Sequence, residues 1–110
     1  MRRGDVLVLR DTRFASKARP VVVVQADGVE VDTVIMALLT SHDRGPVPFR
    51  VPVEPSSNNG LKVRSFVMAG KLATVRRNEL GQTMGALTAS DMRSMAQAVD
   101  YVLDVTTIMH

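Results

Sequence analysis

Hydrophobic and polar positions alternate in short blocks along most of the chain and change period once, near the C-terminus. Val6 to Leu9 reads as a first strand. Val21 to Gln25 is a second; its unbroken apolar start predicts burial on both faces. Pro20 is acceptable there, because the first residue of a strand can lack an N–H without breaking the ladder. Ala26-Asp27-Gly28 predicts a turn, and Val31 to Leu39 a third strand. From Val47 to Val53, valine and phenylalanine alternate with Pro48, Arg50 and Pro52, which predicts an edge or strongly bent strand. Ser56 to Gly60 is a loop, and Leu61 to Val63 reads as a short strand. Ser65 to Ala69 is a further strand, with Gly70 marking a bulge or a close backbone approach. Thr74 to Leu80 starts extended and closes in a helical turn ended by Gly81, and Gln82 to Leu87 is the last strand. Met92, Met95, Ala96, Val99, Val102 and Leu103 then recur at helical spacing. Thr88 is placed to cap the N–H of Asp91. The order of many short strands and one final helix predicts a mainly β (α+β) domain: a small bent sheet or barrel with the helix packed on it.

A length of 110 residues argues for one domain spanning 1–110. At 45% hydrophobic residues the chain can bury a core and is not a disordered segment. No cysteine is present, so disulfides and thiolate metal sites are excluded, which fits a reducing compartment. No apolar run approaches a membrane span. The apolar stretch after Arg2-Arg3 is too short for a signal peptide, so the expectation is a cytoplasmic protein with no membrane partner. The formal net charge of +3 is unevenly distributed. Residues 55–78 hold Lys62, Arg64, Lys71, Arg76 and Arg77 and no acid, and residues 10–19 hold four cations against Asp11. Such patches suit a polyanion or an acidic protein partner, or they are an ordinary solvated surface.

Most chemistry-bearing patterns are absent. There is no Cys/His cluster, no HExxH helix and no glycine-rich phosphate loop. A metal site would need scattered carboxylates with His42 and His110, and none is expected; no cofactor is implied. His42 adjoins Ser41 too closely for a nucleophilic triad. Tyr101 reads as a packed helix residue with a hydrogen-bonded hydroxyl. What remains is Arg19 at the mouth of one strand and Thr40-Ser41-His42 at the end of another. An arginine fork binds two phosphate oxygens at once, and a hydroxyl can donate to a phosphoryl oxygen. RNA carries its own nucleophile, the neighbouring 2′-OH. Cleavage therefore needs little beyond a phosphate clamp, charge stabilisation and a proton relay. By spacing alone Arg19 and Thr40 read more readily as a loop arginine and a strand-end hydroxyl bonded within turns.

Six pieces of the chain, in order, carry a family resemblance. They are Arg3-Gly4-Asp5-Val6; Arg19-Pro20-Val21-Val22-Val23; Thr33-Val34-Ile35 through Leu39-Thr40-Ser41; Pro48-Phe49-Arg50-Val51; Lys71-Leu72-Ala73-Thr74-Val75; and Gly81 through Thr88 with the helix that follows. Together they resemble the MazF/PemK family of toxin endoribonucleases over almost the whole chain. The resemblance implies an SH3-like barrel of the CcdB/MazF type with a C-terminal helix, and a homodimer. It implies metal-independent cleavage of single-stranded mRNA at short motifs, leaving a 2′,3′-cyclic phosphate and a 5′-hydroxyl. It also implies neutralisation by a cognate MazE-like antitoxin whose acidic tail fills the RNA groove. The family's catalytic arginine matches Arg19 and its catalytic hydroxyl Thr40. A guanidinium holds its proton tightly, so Arg19 is an acid and charge stabiliser before it is a base.

Arg13, Phe14, Lys17, Ser41, His42 and Lys71 are then the expected RNA contacts, Phe14 being the one plausible stacking platform. The chain departs from the family pattern in three ways. The segment between Leu9 and Arg19 is short, with Asp11 its only acid. Gly70-Lys71 stands where members commonly carry Asp-Gln. Only four aromatics are present. The substitution at 70–71 keeps a second reading open: a non-catalytic module of the same fold, such as a CcdB-like gyrase poison or a degenerate toxin acting by protein contact. A structural RNA-binding barrel is a third.

Overall fold

Val21, Val22, Val23 and Val24 are all buried, because the sheet they enter carries a hydrophobic cluster on each side. The computed structural model describes residues 1–10, 19–47 and 49–105. Its strands are β1 (Asp5–Leu9), β2 (Arg19–Val23), β3 (Thr33–Thr40), β4 (Arg50–Val53), β5 (Ser65–Arg76) and β6 (Leu80–Ala86). A helix, α1 (Ala89–Leu103), follows them. All strand pairings are antiparallel, in the order β4-β5-β3-β2-β1-β6. This is the mainly β architecture with one C-terminal helix that the sequence predicts. Among the described residues no helix is long and apolar enough to cross a membrane.

Because side chains alternate across a strand, each face has its own core. Val22, Ala37, Leu39, Val51, Val53 and Val67 face α1, which contributes Met95 and Ala98. Val21, Val23, Val34, Met36 and Val75 face the other way, with Leu7 and Leu9. The helix is capped as expected: the Thr88 hydroxyl accepts the Asp91 N–H at 3.1 Å. Met95 is fully buried, with Met92 and Val99 packed beside it. The stripe does not stay covered to its end. Val102 and Leu103 are exposed, and Tyr101 is 62% exposed rather than packed. The helix has by then run past the sheet it lies on.

The strand boundaries differ from the sequence reading where side chains take over backbone work. Gln25 is not in β2. Its buried amide accepts the Ile35 N–H and donates to the Val29 carbonyl, which ends β2 and closes the turn into β3. The strand expected from Val47 begins only at Arg50, whose N–H bonds the Val47 carbonyl in a turn; β4 is an edge strand, as predicted. Leu61 to Val63 forms no strand. The strand expected at 65–69 and the extended start expected from Thr74 are one twelve-residue strand, β5. A 3-10 turn at Arg77–Glu79 follows β5, and β6 starts directly after it, so Gly81 lies inside a strand.

The bulge expected at Gly70 is large. On β3, Ala37 pairs with Leu72 and the next residue, Leu38, pairs with Met68. Ala69, Gly70 and Lys71 therefore have no counterpart on β3. An odd insertion reverses which side chains face which side. Phe66 and Met68 before it share a face with Ala73 and Val75 after it. A close approach is present too: a Cβ on Gly70 would sit 3.3 Å from the Phe49 ring.

The sheet curls until the loop after β4 meets β6. There the Ala86 N–H bonds the Asn58 carbonyl at 2.8 Å. That loop is tied by the buried Asn59 amide, which accepts from Ser56 and Leu61 N–H and donates to the Glu54 carbonyl. Gly60 and Gly85 are needed at the seam. A Cβ on either would meet backbone of the other side, and Gly60 also has φ +72°.

Candidate active site

Arg19 opens β2 and Thr40 closes β3. The β2–β3 register pairs Val21 with Leu38, so two residues further out Arg19 stands beside Thr40. Thr40 in turn pairs with Phe66 on β5, Met68 pairs with Arg50 on β4, and directly paired residues share a face. Arg19, Thr40, Phe66, Met68 and Arg50 thus continue, beyond Val21 and Met36, the face opposite the helix. The apolar cluster ends there and polar groups take over.

A cavity of about 620 Å³ opens at this point. Five of the residues singled out in the sequence line it: Arg19, Thr40, Ser41, His42 and Lys71. Arg44, Arg50 and Met68 complete the wall. Four of these eight are permanent or near-permanent cations, and among the described residues no carboxylate lines the space. The ion pairs among the described residues involve Arg2 and Arg64 and none of these four. Clustered cations without acids raise the local concentration of anions and hold them.

The hydrogen bonds organise the rim. The Thr40 hydroxyl oxygen accepts the His42 N–H at 3.1 Å. That is the local turn bond expected of a strand-end hydroxyl, and it leaves the hydroxyl proton free to donate, because a hydroxyl both accepts and donates. Arg50 Nη1 donates to the His42 carbonyl at 3.3 Å, so both backbone groups of His42 are anchored and its ring projects from a fixed strand end. Lys71 reaches the cavity because it lies in the β5 bulge; in a regular ladder it would have a fixed partner and face.

Arg44 and Arg50 were not anticipated. The outward side of the alternating strand was a signal for Arg50, while Arg44 lies in a polar loop with no pattern of its own. Arg13, Phe14 and Lys17, the other expected RNA contacts, and His110 lie outside the described residues. The basic segment 55–78 is not one surface. Lys71 lines the cavity, Arg64 is paired with Glu54 at 2.7 Å, and Arg77 donates to the Val31 carbonyl beyond the far end of the same strand. Among the described residues no three His, Asp or Glu side chains come together as metal ligands.

Residues 2–103 match the family described as PemK-like, MazF-like toxin of type II toxin-antitoxin system. The chain belongs to the PemK/MazF toxin family. Its similarity to the endoribonuclease MazF of Staphylococcus saprophyticus is 30% identity over 115 residues, covering 98% of this chain and 95% of that one. Among solved structures, this family toxin is similar to a mycobacterial endoribonuclease in complex with its cognate antitoxin. That match has a TM-score of 0.81 and 25% identity and covers 96% of each chain. It is also similar to the Mycobacterium tuberculosis toxin MazF-mt6, with a TM-score of 0.78 and 28% identity over 91% of this chain and 96% of that one. The CcdB/MazF-like fold expected from the sequence is therefore the fold of this toxin.

Proposed function

We propose that this toxin is an endoribonuclease that cleaves single-stranded mRNA at the cavity between Arg19 and Lys71. The observation that carries the proposal is the makeup of that cavity: four cations and two strand-end hydroxyls, with no carboxylate among the described residues that line it, in a chain of this family.

The chemistry follows from the groups present. Arg50 and Lys71 hold the phosphodiester as fork and point charge. The 2′-oxygen attacks the adjacent phosphorus, its proton passing to water. A bond from phosphorus to O2′ forms and the bond to O5′ breaks, giving a 2′,3′-cyclic phosphate and a 5′-hydroxyl. Arg19 neutralises the charge that develops on the equatorial oxygens and supplies the proton taken up by departing O5′. Thr40 donates its free hydroxyl proton in a hydrogen bond to a phosphoryl oxygen. Donors placed where charge develops contribute about 10²–10³-fold in rate each. Without the acidic residue that members commonly carry at the position of Gly70, Arg19 and Thr40 carry more of the rate than in those relatives. No step uses a metal.

The toxin works in the cytoplasm as a homodimer and is neutralised by a MazE-like antitoxin. The open apolar end of α1, with Tyr101, Val102 and Leu103, is surface of the kind that protein contacts cover and supports this reading. The test is incubation of the purified protein with mixed single-stranded RNAs in EDTA, followed by analysis of the new ends. Cyclic phosphate and 5′-hydroxyl ends are expected. Intact RNA, or ends bearing 5′-phosphate, would overturn the reading. Growth inhibition that survives Arg19→Ala would point instead to a toxin acting by protein contact.

A further inference from the structure

A second cavity, also of about 620 Å³, adjoins the first. Both are lined by Arg50, and Phe66, beside Thr40 in the β3–β5 ladder, lines the second. Its size is within the range of about 300–1,000 Å³ typical of small-molecule sites. Its lining is more apolar than its neighbour's, with two arginines in place of four cations. Pro46, Val47, Pro52 and Phe66 give it apolar walls, and Asp43 puts a carboxylate on its rim. With Arg50 and Arg64 also in the wall, the carboxylate adds an acceptor that the described lining of the first cavity lacks, and a flat ring with N–H donors suits it.

Two details make this more than an apolar dent. Arg64, at its edge, is held in place: Nε donates to Glu54 at 2.7 Å and Cζ lies 5.1 Å from the centre of the Phe66 ring. A half-exposed guanidinium fixed in this way is a platform for base stacking. Asp43 is held as well. Its Oδ1 accepts the Gly45 N–H at 2.9 Å, while Oδ2 is 3.9 Å from Arg64 Nη1, too far for a hydrogen bond. Oδ2 is therefore an acceptor without a donor of its own among these contacts.

We infer that this cavity is the base-reading subsite of the RNA-cleaving site. The phosphate lies among Arg19, Thr40 and Lys71, the backbone passes over Arg50, and the base of a flanking nucleotide enters between Pro52 and Arg64. Asp43 Oδ2 accepts a hydrogen bond from that base and so selects one with an exocyclic amino group over uracil. The inference rests on the endoribonuclease reading. An acidic antitoxin tail is the poorer occupant, since the walls between Pro46 and Phe66 are largely apolar and Arg64 is already paired with Glu54.

The test is Asp43→Asn. An asparagine keeps the oxygen that accepts from Gly45 and turns the other acceptor into a donor, which suits the O4 carbonyl of uracil. Wild-type and variant protein cut a randomised single-stranded RNA pool, and the base frequencies around the cut are compared within each pool. The wild type is expected to disfavour uracil at one fixed position beside the cut. The variant is expected to lose that discrimination by about tenfold and to shift toward uracil. A variant that cuts with the wild-type preference overturns the subsite and leaves the nuclease reading standing. So does a variant whose only change is in affinity for an acidic tail peptide. A wild type that cuts no RNA overturns the nuclease reading itself, and the subsite with it.

Discussion

Gly85→Ala tests the seam on which the shape of the site depends. A Cβ at position 85 meets the Asn58 carbonyl oxygen and lies 2.7 Å from the Asn59 carbonyl carbon. Both are backbone atoms of a loop tied internally by Asn59, so neither can move aside cheaply. Overpacking of this kind costs about 1–3 kcal/mol. Disturbing the Ala86–Asn58 hydrogen bond adds about 1 kcal/mol, and the stiffer unfolded chain returns about 0.5–1 kcal/mol. The net loss is about 1–3.5 kcal/mol, or about 5–20 °C in Tm for a domain of this size. Urea unfolding followed by circular dichroism measures it, with Gly28→Ala as the control. A Cβ at Gly28 meets nothing within 4 Å, so that variant should be neutral or slightly stabilised. The consequence reaches the site, because the same loop fixes the Glu54 carbonyl and Glu54 holds Arg64. A Gly85→Ala protein within about 0.5 kcal/mol of wild type would refute the closed seam.

Three further outcomes are expected. Thr40→Val should lower the cleavage rate by about 10²–10³-fold, while Thr40→Ser keeps most of it; single-turnover kinetics on a short RNA distinguishes a lost donor from a lost methyl. Arg50→Ala and Lys71→Ala should each flatten the salt dependence of RNA binding, by about 0.7 in log–log slope for each phosphate contact removed, as read by fluorescence titration. Thr88→Ala should cost about 1 kcal/mol in urea unfolding through the lost cap and leave the cleavage rate per folded molecule unchanged.

What could be read in the sequence was local. The Thr88 cap, the Val21–Val24 run buried on both faces and the bulge at Gly70 each depend on a few neighbouring residues. Strand lengths failed where non-local bonds decide them. Gln25 ends β2 only because Ile35 lies across from it, and β4 is short because the chain turns at Val47. β5 was split in two because its insertion reverses the alternation, so no single period runs through Phe66 and Val75. At the site, Arg19, Thr40, Ser41, His42 and Lys71 converge because β2, β3 and β5 are neighbours, an order no local pattern encodes. Arg44 and Arg50 join them through a loop that folds back on His42. Gly60 and Gly85, 25 positions apart, meet only in the closed sheet.

The most direct measurement is end-mapped cleavage of single-stranded RNA in EDTA by wild type and Arg19→Ala side by side. Arg19 is exposed, and its backbone pairing with Leu9 does not need the side chain, so the variant should fold and melt like wild type. Cyclic phosphate ends from the wild type and a rate at least about 10²-fold lower from the variant are expected. An Arg19→Ala protein that cuts at the wild-type rate would contradict the account.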